Sequence, residues 1–416
     1  MKNILSTLIV AFNLLVASGG YSYAADFQKG KEAYDAGDYV TALREWSELA
    51  EQGHAEAQFN LAVIYNDGDK GVIQDYKEAE MWYRKAAEQG NTAAQLKLGF
   101  MFDKGQGVTQ NYKEASKWFR MAAEQRNTSA QLKLGFMYAQ GVGVTQDFKK
   151  AVKWFYKAAE QGNPDAQLSL GQMYRQGDGI TQDYKEAVKW YRKAAEQGSA
   201  TAQFNLGYMY KKGTGVTQDY KKAVSWYRKA ADQRDLDAQH NLGFMYYNGQ
   251  GVKQDYKQAV KWYRKAAKQG SALAQSHLGF MYEKGKGVTQ GYKEAEKWYR
   301  KSAEQGNVDA QSNLGQMYRK GDGVTQDYKE AIKWFSKAVE QGYVDARYNL
   351  ALMFAKGQGV ILDNVYAHMW FNIAASTGDA DAVKNRDIVA KKMTFTDISK
   401  AQGLARVCVQ KNYKNC

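Results

Sequence analysis

The ten tryptophans of this chain, Trp46, Trp82, Trp118, Trp154, Trp190, Trp226, Trp262, Trp298, Trp334 and Trp370, each stand 36 residues after the last. A fixed period of this size denotes stacked copies of one small unit, each burying its apolar side against its neighbours, in place of a single closed core. Length therefore loses its usual meaning. A chain of 416 residues would otherwise suggest two or three domains, but an array grows by adding units and reads as one elongated domain. Hydrophobic residues make up 44% of the chain, which excludes disorder, and the single proline, Pro164, leaves long stretches free to be helical.

One copy of the unit runs from Asp183 to Gly198 and then from Ala202 to Val216. Ala187, Trp190 and Ala194 share a helical face at i, i+3 and i+7. Asp183 is expected to cap this first helix, with Glu186 closing a capping box, and Gly198 suits the left-handed position past its end. Ala202, Leu206, Met209 and Tyr210 form the buried face of a second helix. Gly207 lies inside it, with equivalents at Gly99, Gly135, Gly171, Gly243, Gly279 and Gly315. A mid-helix glycine costs about 1 kcal/mol relative to alanine, so its recurrence implies a compensating close approach of helices. Gly213 and Gly215, repeated from Gly105/Gly107 to Gly357/Gly359, turn the chain into the next unit.

The pattern Ala-x-x-x-Leu-Gly-x-x-Tyr-x-x-Gly-x-Gly-Val, then Asp-x-x-x-Ala-x-x-Trp-x-x-x-Ala-Ala-Glu-x-Gly, resembles the Sel1-like repeat. It recurs about nine times over residues 38–378. The resemblance implies an all-α, right-handed α-solenoid of antiparallel helix pairs, related to tetratricopeptide arrays and used as a scaffold or adaptor for a protein or peptide. Residues 25–37 read as a capping helix. Residues 379–416 carry a closing segment similar to that of bacterial Sel1-like proteins, with Arg386-Asp387, Met393-Thr394 and Ala401 to Arg406 in two capping helices.

Binding is sought where copies differ. On the second helices, Phe204, Tyr208 and Lys211 at i, i+4 and i+7 form a face apart from the packing seam. Equivalent trios are Leu96-Phe100-Asp103, Leu132-Phe136-Ala139, Leu168-Gln172-Arg175, His240-Phe244-Tyr247, Ser276-Phe280-Glu283 and Ser312-Gln316-Arg319. By the resemblance this face lines the concave groove. Its aromatic rings either receive a partner or fill space between adjacent second helices. His240 and His277 fall at neighbouring positions and read as ordinary polar groove residues. On the first helices, Lys185-Lys189-Lys193, with Lys149-Lys153-Lys157 and Lys257-Lys261-Lys265, makes a basic stripe expected to point away from the tryptophans. It is either a solvated face balanced by neighbouring glutamates or a weak site for anionic envelope polymers. Arg126 and Arg234 replace the post-helix glycine, marking either partner contacts or drift in a tolerant loop.

Residues 1–24 have the layout of a secretory signal peptide: Lys2, an apolar run from Ile4 to Val16, and a small-residue end at Ala24. A periplasmic or secreted protein follows as the expectation, with no transmembrane segment, no nucleic-acid partner and a monomeric state. The net charge of +14, or +13 without Lys2, favours acidic partners. In an oxidising compartment Cys408 and Cys416 are expected to pair, adding about 2–4 kcal/mol at best. Four histidines without a His-Glu-x-x-His, and no Ser-x-x-Lys or Cys-x-x-Cys, argue against the alternative of a β-lactamase-like or peptidoglycan-acting envelope hydrolase. No cofactor or metal is expected; Asp67-Gly68-Asp69 through Glu78 mimics a calcium loop but places Val72 where that loop needs glycine.

The tryptophan ladder hides one irregularity. Tyr39 and Tyr76, Ala42 and Ala79, and Gln58 and Gln95 are 37 apart, so one extra residue lies near Asp69. Trp46 is therefore expected in the column of Tyr83 and not in that of Trp82.

Overall fold

The computed structural model describes residues 26–68, 71–414 and 416. The expected signal peptide lies outside them, as do Asp69 and Lys70 of the calcium-like loop. All regular structure among the described residues is helical, in two compact units. The first, up to Asp183, holds α1 (Phe27–Asp35), α2 (Tyr39–Glu51), α3 (Ala55–Asp67), α4 (Tyr76–Glu88), α5 (Thr92–Lys104), α6 (Tyr112–Glu124), α7 (Thr128–Gln140), α8 (Phe148–Glu160) and α9 (Pro164–Gln176). The second, from Tyr184, holds α10 (Tyr184–Glu196), α11 (Ala200–Lys212), α12 (Tyr220–Asp232), α13 (Leu236–Asn248), α14 (Tyr256–Lys268), α15 (Ala272–Lys284) and α16 (Tyr292–Glu304). It continues with α17 (Val308–Lys320), α18 (Tyr328–Glu340), α19 (Val344–Lys356), α20 (Asn364–Ala375), α21 (Ala380–Ala390) and α22 (Phe395–Gln410). Within each unit helices pair in sequence, giving a right-handed α-solenoid of antiparallel first and second helices.

The helix boundaries follow local chemistry. Asp75, Asn111, Asp147, Asp219, Asp255 and Asp327 each cap a first helix by accepting from its opening backbone N–H groups. The expected capping box does not complete in these helices, because the cap's own N–H is already used. It donates to the carbonyl near the end of the preceding second helix, as from Asp75 to Tyr65 and from Asp255 to Tyr246. The glutamate three residues on turns instead to a lysine, in Glu114–Lys117, Glu186–Lys189 and Glu330–Lys333. Arg126 and Arg234 do adopt left-handed φ values of 68° and 70°. A Cβ at the equivalent glycines, such as Gly90 or Gly162, would meet nothing within 4 Å, so the penalty there is conformational alone.

The recurring mid-helix glycines receive aromatic rings. A Cβ on Gly99 or Gly135 would lie 2.6 Å from the ring of Phe119 or Phe155; on Gly243 it would lie 2.7 Å from Tyr263, and on Gly315 2.8 Å from Phe335. Each ring comes from the first helix of the next repeat and is the residue after the tryptophan. Tyr83, Phe119, Tyr227, Tyr263, Tyr299 and Phe335 are fully buried, whereas Trp82, Trp118 and Trp154 keep 7–9% of their surface. The deepest knob is thus the tryptophan's neighbour. Trp46 confirms the shifted register: it is 1% exposed, and a Cβ on Gly30 of α1 would meet its indole at 2.5 Å. Glu45 takes the usual tryptophan place. Burial would raise its pKa, but hydrogen bonds from Lys29 and Arg44 outweigh that and hold it below the ordinary range.

A glutamine ladder runs behind these rings. Gln58, Gln95, Gln131, Gln203, Gln239, Gln275 and Gln311 are buried, and each donates to an alanine carbonyl ending the first helix of its own repeat, at 2.9–3.2 Å. Each also accepts at 2.7–2.9 Å from a glutamine that follows the next first helix, as Gln131 does from Gln161 and Gln239 from Gln269. The buried amide thus donates within its own repeat and accepts across the repeat boundary, leaving neither its nitrogen nor its oxygen unpartnered. In α19 the position is Arg347, whose Nη2 donates to the Gly342 carbonyl while its guanidinium lies 4.0 Å over Tyr413. Beyond it, α21 and α22 pack on α20, and Cys408 and Cys416 are joined with Cα atoms 5.5 Å apart.

Two substitutions separate ring shape from ring chemistry. Gly243→Ala forces Tyr263 aside and is expected to cost about 1–3 kcal/mol, read as a fall in melting temperature. The Tyr263 hydroxyl is buried with no hydrogen-bond partner among the described residues, so Tyr263→Phe is expected to be neutral or slightly stabilising, as the phenylalanines at 119, 155 and 335 suggest.

Candidate functional site

The second helices turn one face to the inserted rings and another away from them. Ser276 and Ser312 are buried; most of the remaining face residues are half-buried, and several lean on the ring that enters the neighbouring glycine site. Phe100 meets Phe119 edge-on at 5.1 Å, and Phe136 meets Phe155 at 5.0 Å. In the second unit Phe204 lies 5.7 Å from Tyr227, and His240 5.7 Å from Tyr263. The expected face thus exists in each unit, but its rings also pack. Phe136 and Tyr208, 37% and 42% exposed, are the large apolar members most open to solvent. In the first unit Leu96, Leu132 and Gln172 are half-buried beside them and Arg175 is exposed.

The second unit adds polar contacts to this face. Lys211 reaches forward one repeat, with Nζ 4.6 Å over the Phe244 ring and 3.3 Å from Asn241 Oδ1, and burial lowers its pKa. Tyr247 stands 6.3 Å from Phe280, and its hydroxyl accepts from Lys286 Nζ at 2.8 Å. Gln316 Oε1 accepts from Arg319 Nε at 2.7 Å, tying those two face residues together.

His240 and His277 are brought together, as their neighbouring positions implied. His277 Nδ1 is 2.9 Å from the Leu273 carbonyl and 3.3 Å from His240 Nε2. A carbonyl only accepts, so Nδ1 of His277 carries the proton and Nε2 of His240 is the acceptor. His277 also stacks on Tyr263 with ring centres 5.0 Å apart. Burial first, then His277 and Lys211, push the His240 pKa down from 6.5 to about 4. No cluster of three or more metal-ligating side chains occurs among the described residues. The folded state refuses a proton that the unfolded chain accepts near pH 6.5, so stability is expected to fall as pH drops from about 6.5 towards 4. Melting temperatures should slope downward across that window for the natural chain and less steeply for His240→Gln, the remaining slope coming from His368, whose pKa burial also lowers.

The basic stripe differs from expectation. Its third lysine does not leave the tryptophans but covers them. Lys85, Lys157, Lys193, Lys229, Lys265, Lys301 and Lys337 place Nζ 4.0–5.0 Å over the ring of the tryptophan three residues earlier. The physical reason is i, i+3 adjacency: a lysine one turn on drapes its stem over the indole edge left by the buried neighbour. The other lysines partly pair with glutamates, which matches the balanced-surface reading. The glutamine ladder was missed; its signal was present as one glutamine recurring at the same place in an otherwise apolar seam.

No helix among the described residues is long and apolar enough to cross a membrane. Comparison with known proteins matches the Sel1 repeat model nine times in succession, from residues 55–91 to residues 344–379. A crystal structure of a protective antigen present in uropathogenic Escherichia coli strains, displaying an SLR fold, is 35% identical with a TM-score of 0.61. That match covers 89% of this chain and 95% of the other. A Sel1 repeat protein from Oxalobacter formigenes is also 35% identical at TM-score 0.61, over 82% of this chain and 92% of its own. Chitin synthase regulatory factor 3 of Schizosaccharomyces pombe is 34% identical over 102 residues, 23% of this chain and only 11% of that protein. Repeat model, helix-pair geometry and near full-length structural likeness agree, and the chain belongs to the Sel1 repeat family.

Proposed function

We propose that this chain is an exported interaction scaffold that holds a peptide or protein partner in the concave groove lined by the variable face of its second helices. Sel1 repeat proteins are in general scaffolds for protein interactions. The observation that carries the reading to these residues is the half-burial of the face: its rings are steadied from behind by the inserted aromatics yet left open in front. Rigid, partly exposed aromatic surface of this kind loses little side-chain entropy on binding. Phe136 in one unit and Tyr208 in the other are its most open rings. The likeness to a protein described as a protective antigen, together with the leader-like residues 1–24, supports a place outside the cytoplasm.

Tyr208→Ser tests the face. The expected result is loss of partner proteins captured by the natural chain, with the melting temperature within about 2 °C of it, since an exposed ring away from the core contributes little to stability. A fall in melting temperature comparable to that of Tyr227→Ala would assign Tyr208 to packing and end the binding role. Export is tested by the intact mass of protein recovered from the periplasm or medium. The expected chain starts at Ala25 and is two hydrogens lighter than its reduced form, with Cys408 and Cys416 paired.

A further inference from the structure

One first helix breaks the charge pattern of all the others that bear lysines. The last residue of these helices is Glu88, Glu124, Glu160, Glu196, Asp232, Glu304 or Glu340, and the third is Glu78, Glu114, Glu186, Glu294 or Glu330 in five of them but Lys150 in α8 and Lys222 in α12. In α14 both are lost together, to Gln258 and Lys268, so Lys257, Lys261, Arg264, Lys265 and Lys268 stand on a helix without a single carboxylate. The consequence is direct at Lys261. Its equivalents Lys117, Lys189 and Lys333 pair with a glutamate three residues earlier, whereas here that residue is Gln258; Lys153 likewise lacks one, behind Lys150, but its helix keeps Glu160. Among the described residues Lys257, Lys261 and Lys268 have no carboxylate within 4 Å.

These cations line two adjoining clefts, of about 810 and about 450 Å³, that share Lys257 and Gly287. Lys253 adds a further charge where other repeats carry threonine, as at Thr217 and Thr289. The lining carboxylate, Asp255, is spent capping α14 through the Gln258 N–H. The molecule contains its own control. One repeat earlier a cleft of about 500 Å³ is lined by the eight residues that stand 36 places before those of the smaller cleft. It has the same floor, Val224 and Val252 for Val260 and Val288, but Ser225 and Asp232 stand where α14 has Lys261 and Lys268. Shape is kept and charge is changed.

We propose that the furrow along α14 is a second binding site, taking an extended acidic peptide segment with carboxylates at alternate residues. Lys257, Lys261 and Lys265 repeat every four residues of a helix, a spacing of about 6 Å. Alternate side chains of an extended peptide on one side recur at about 6.6 Å, so successive carboxylates fall near successive lysines, with small apolar side chains between them over Val260 and Val288. A concave furrow with an apolar floor suits such a strand better than a flat lipid surface. The site lies on a first helix, apart from the second-helix face, and stands whether or not that face binds.

The test uses the full mature chain and two labelled peptides of one composition: four glutamates alternating with three valines, and the same residues in two blocks. The alternating peptide is expected to bind about tenfold tighter than the block peptide. The double variant Lys261→Ser/Lys268→Asp is expected to lose about tenfold in affinity with unchanged melting temperature, because the preceding repeat already carries those residues. Ser225→Lys/Asp232→Lys should raise the stoichiometry from one peptide to two. Equal binding of the two peptides, equal binding by the natural chain and the lysine-depleted variant, or capture of phosphatidylglycerol vesicles in place of peptide would each overturn the proposal.

Discussion

The insertion of an aromatic ring into the space of a missing Cβ is the contact on which the other features depend. A second helix built with alanine at Gly99 or Gly243 would hold the next first helix further off. The glycine's propensity cost of about 1 kcal/mol is set against the near-complete burial of a phenylalanine or tyrosine. With that ring buried, the tryptophan beside it is carried to the edge of the seam, where it keeps a strip of exposed surface for a lysine to cover. The same ring is the floor against which Phe100, Phe136 and Phe204 rest. The variable face of the second helices and the lysine-capped tryptophans of the first helices are two sides of one packing event.

The period, the helix pairs and the packing positions were legible in the sequence because each repeats in register and obeys helical spacing. The shifted register of Trp46 was legible too, since counting the flanking columns separates it from Trp82, and Gly30 in α1 supplies the matching recess. The capping box misled because its letters are local while its donor is not: the N–H of Asp75 is claimed by Tyr65 from the preceding helix. The lysine stripe misled for a related reason. Periodicity places Lys193 on a face, but only the depth of Tyr191 decides that the Trp190 ring remains reachable.

The variable face of the second helices was located by differences between copies, yet its character needed three dimensions. From sequence, Phe136 and Phe204 looked like rings that either bind or pack. In the structure each packs on a buried ring on one side and keeps the other side partly open to solvent. The pairing of His240 with His277 was suggested by their neighbouring positions, but the depression of the His240 pKa depends on burial, which sequence spacing does not supply.

The glutamine ladder carries a consequence for how such a chain changes length over generations. Each buried amide donates to the alanine carbonyl that ends the first helix of its own repeat and accepts from the glutamine after the next first helix, so a duplication or deletion keeps the ladder when it adds or removes a whole repeat, and the 37-residue step from Gln58 to Gln95 keeps both bonds. At Arg347 the ladder meets a side chain that donates and cannot accept, and that guanidinium is stacked under Tyr413 of the cross-linked tail. Arg347 offers no amide oxygen to a further glutamine, so the hydrogen-bond relay from repeat to repeat stops there, and the ring of Tyr413 lies over the guanidinium instead.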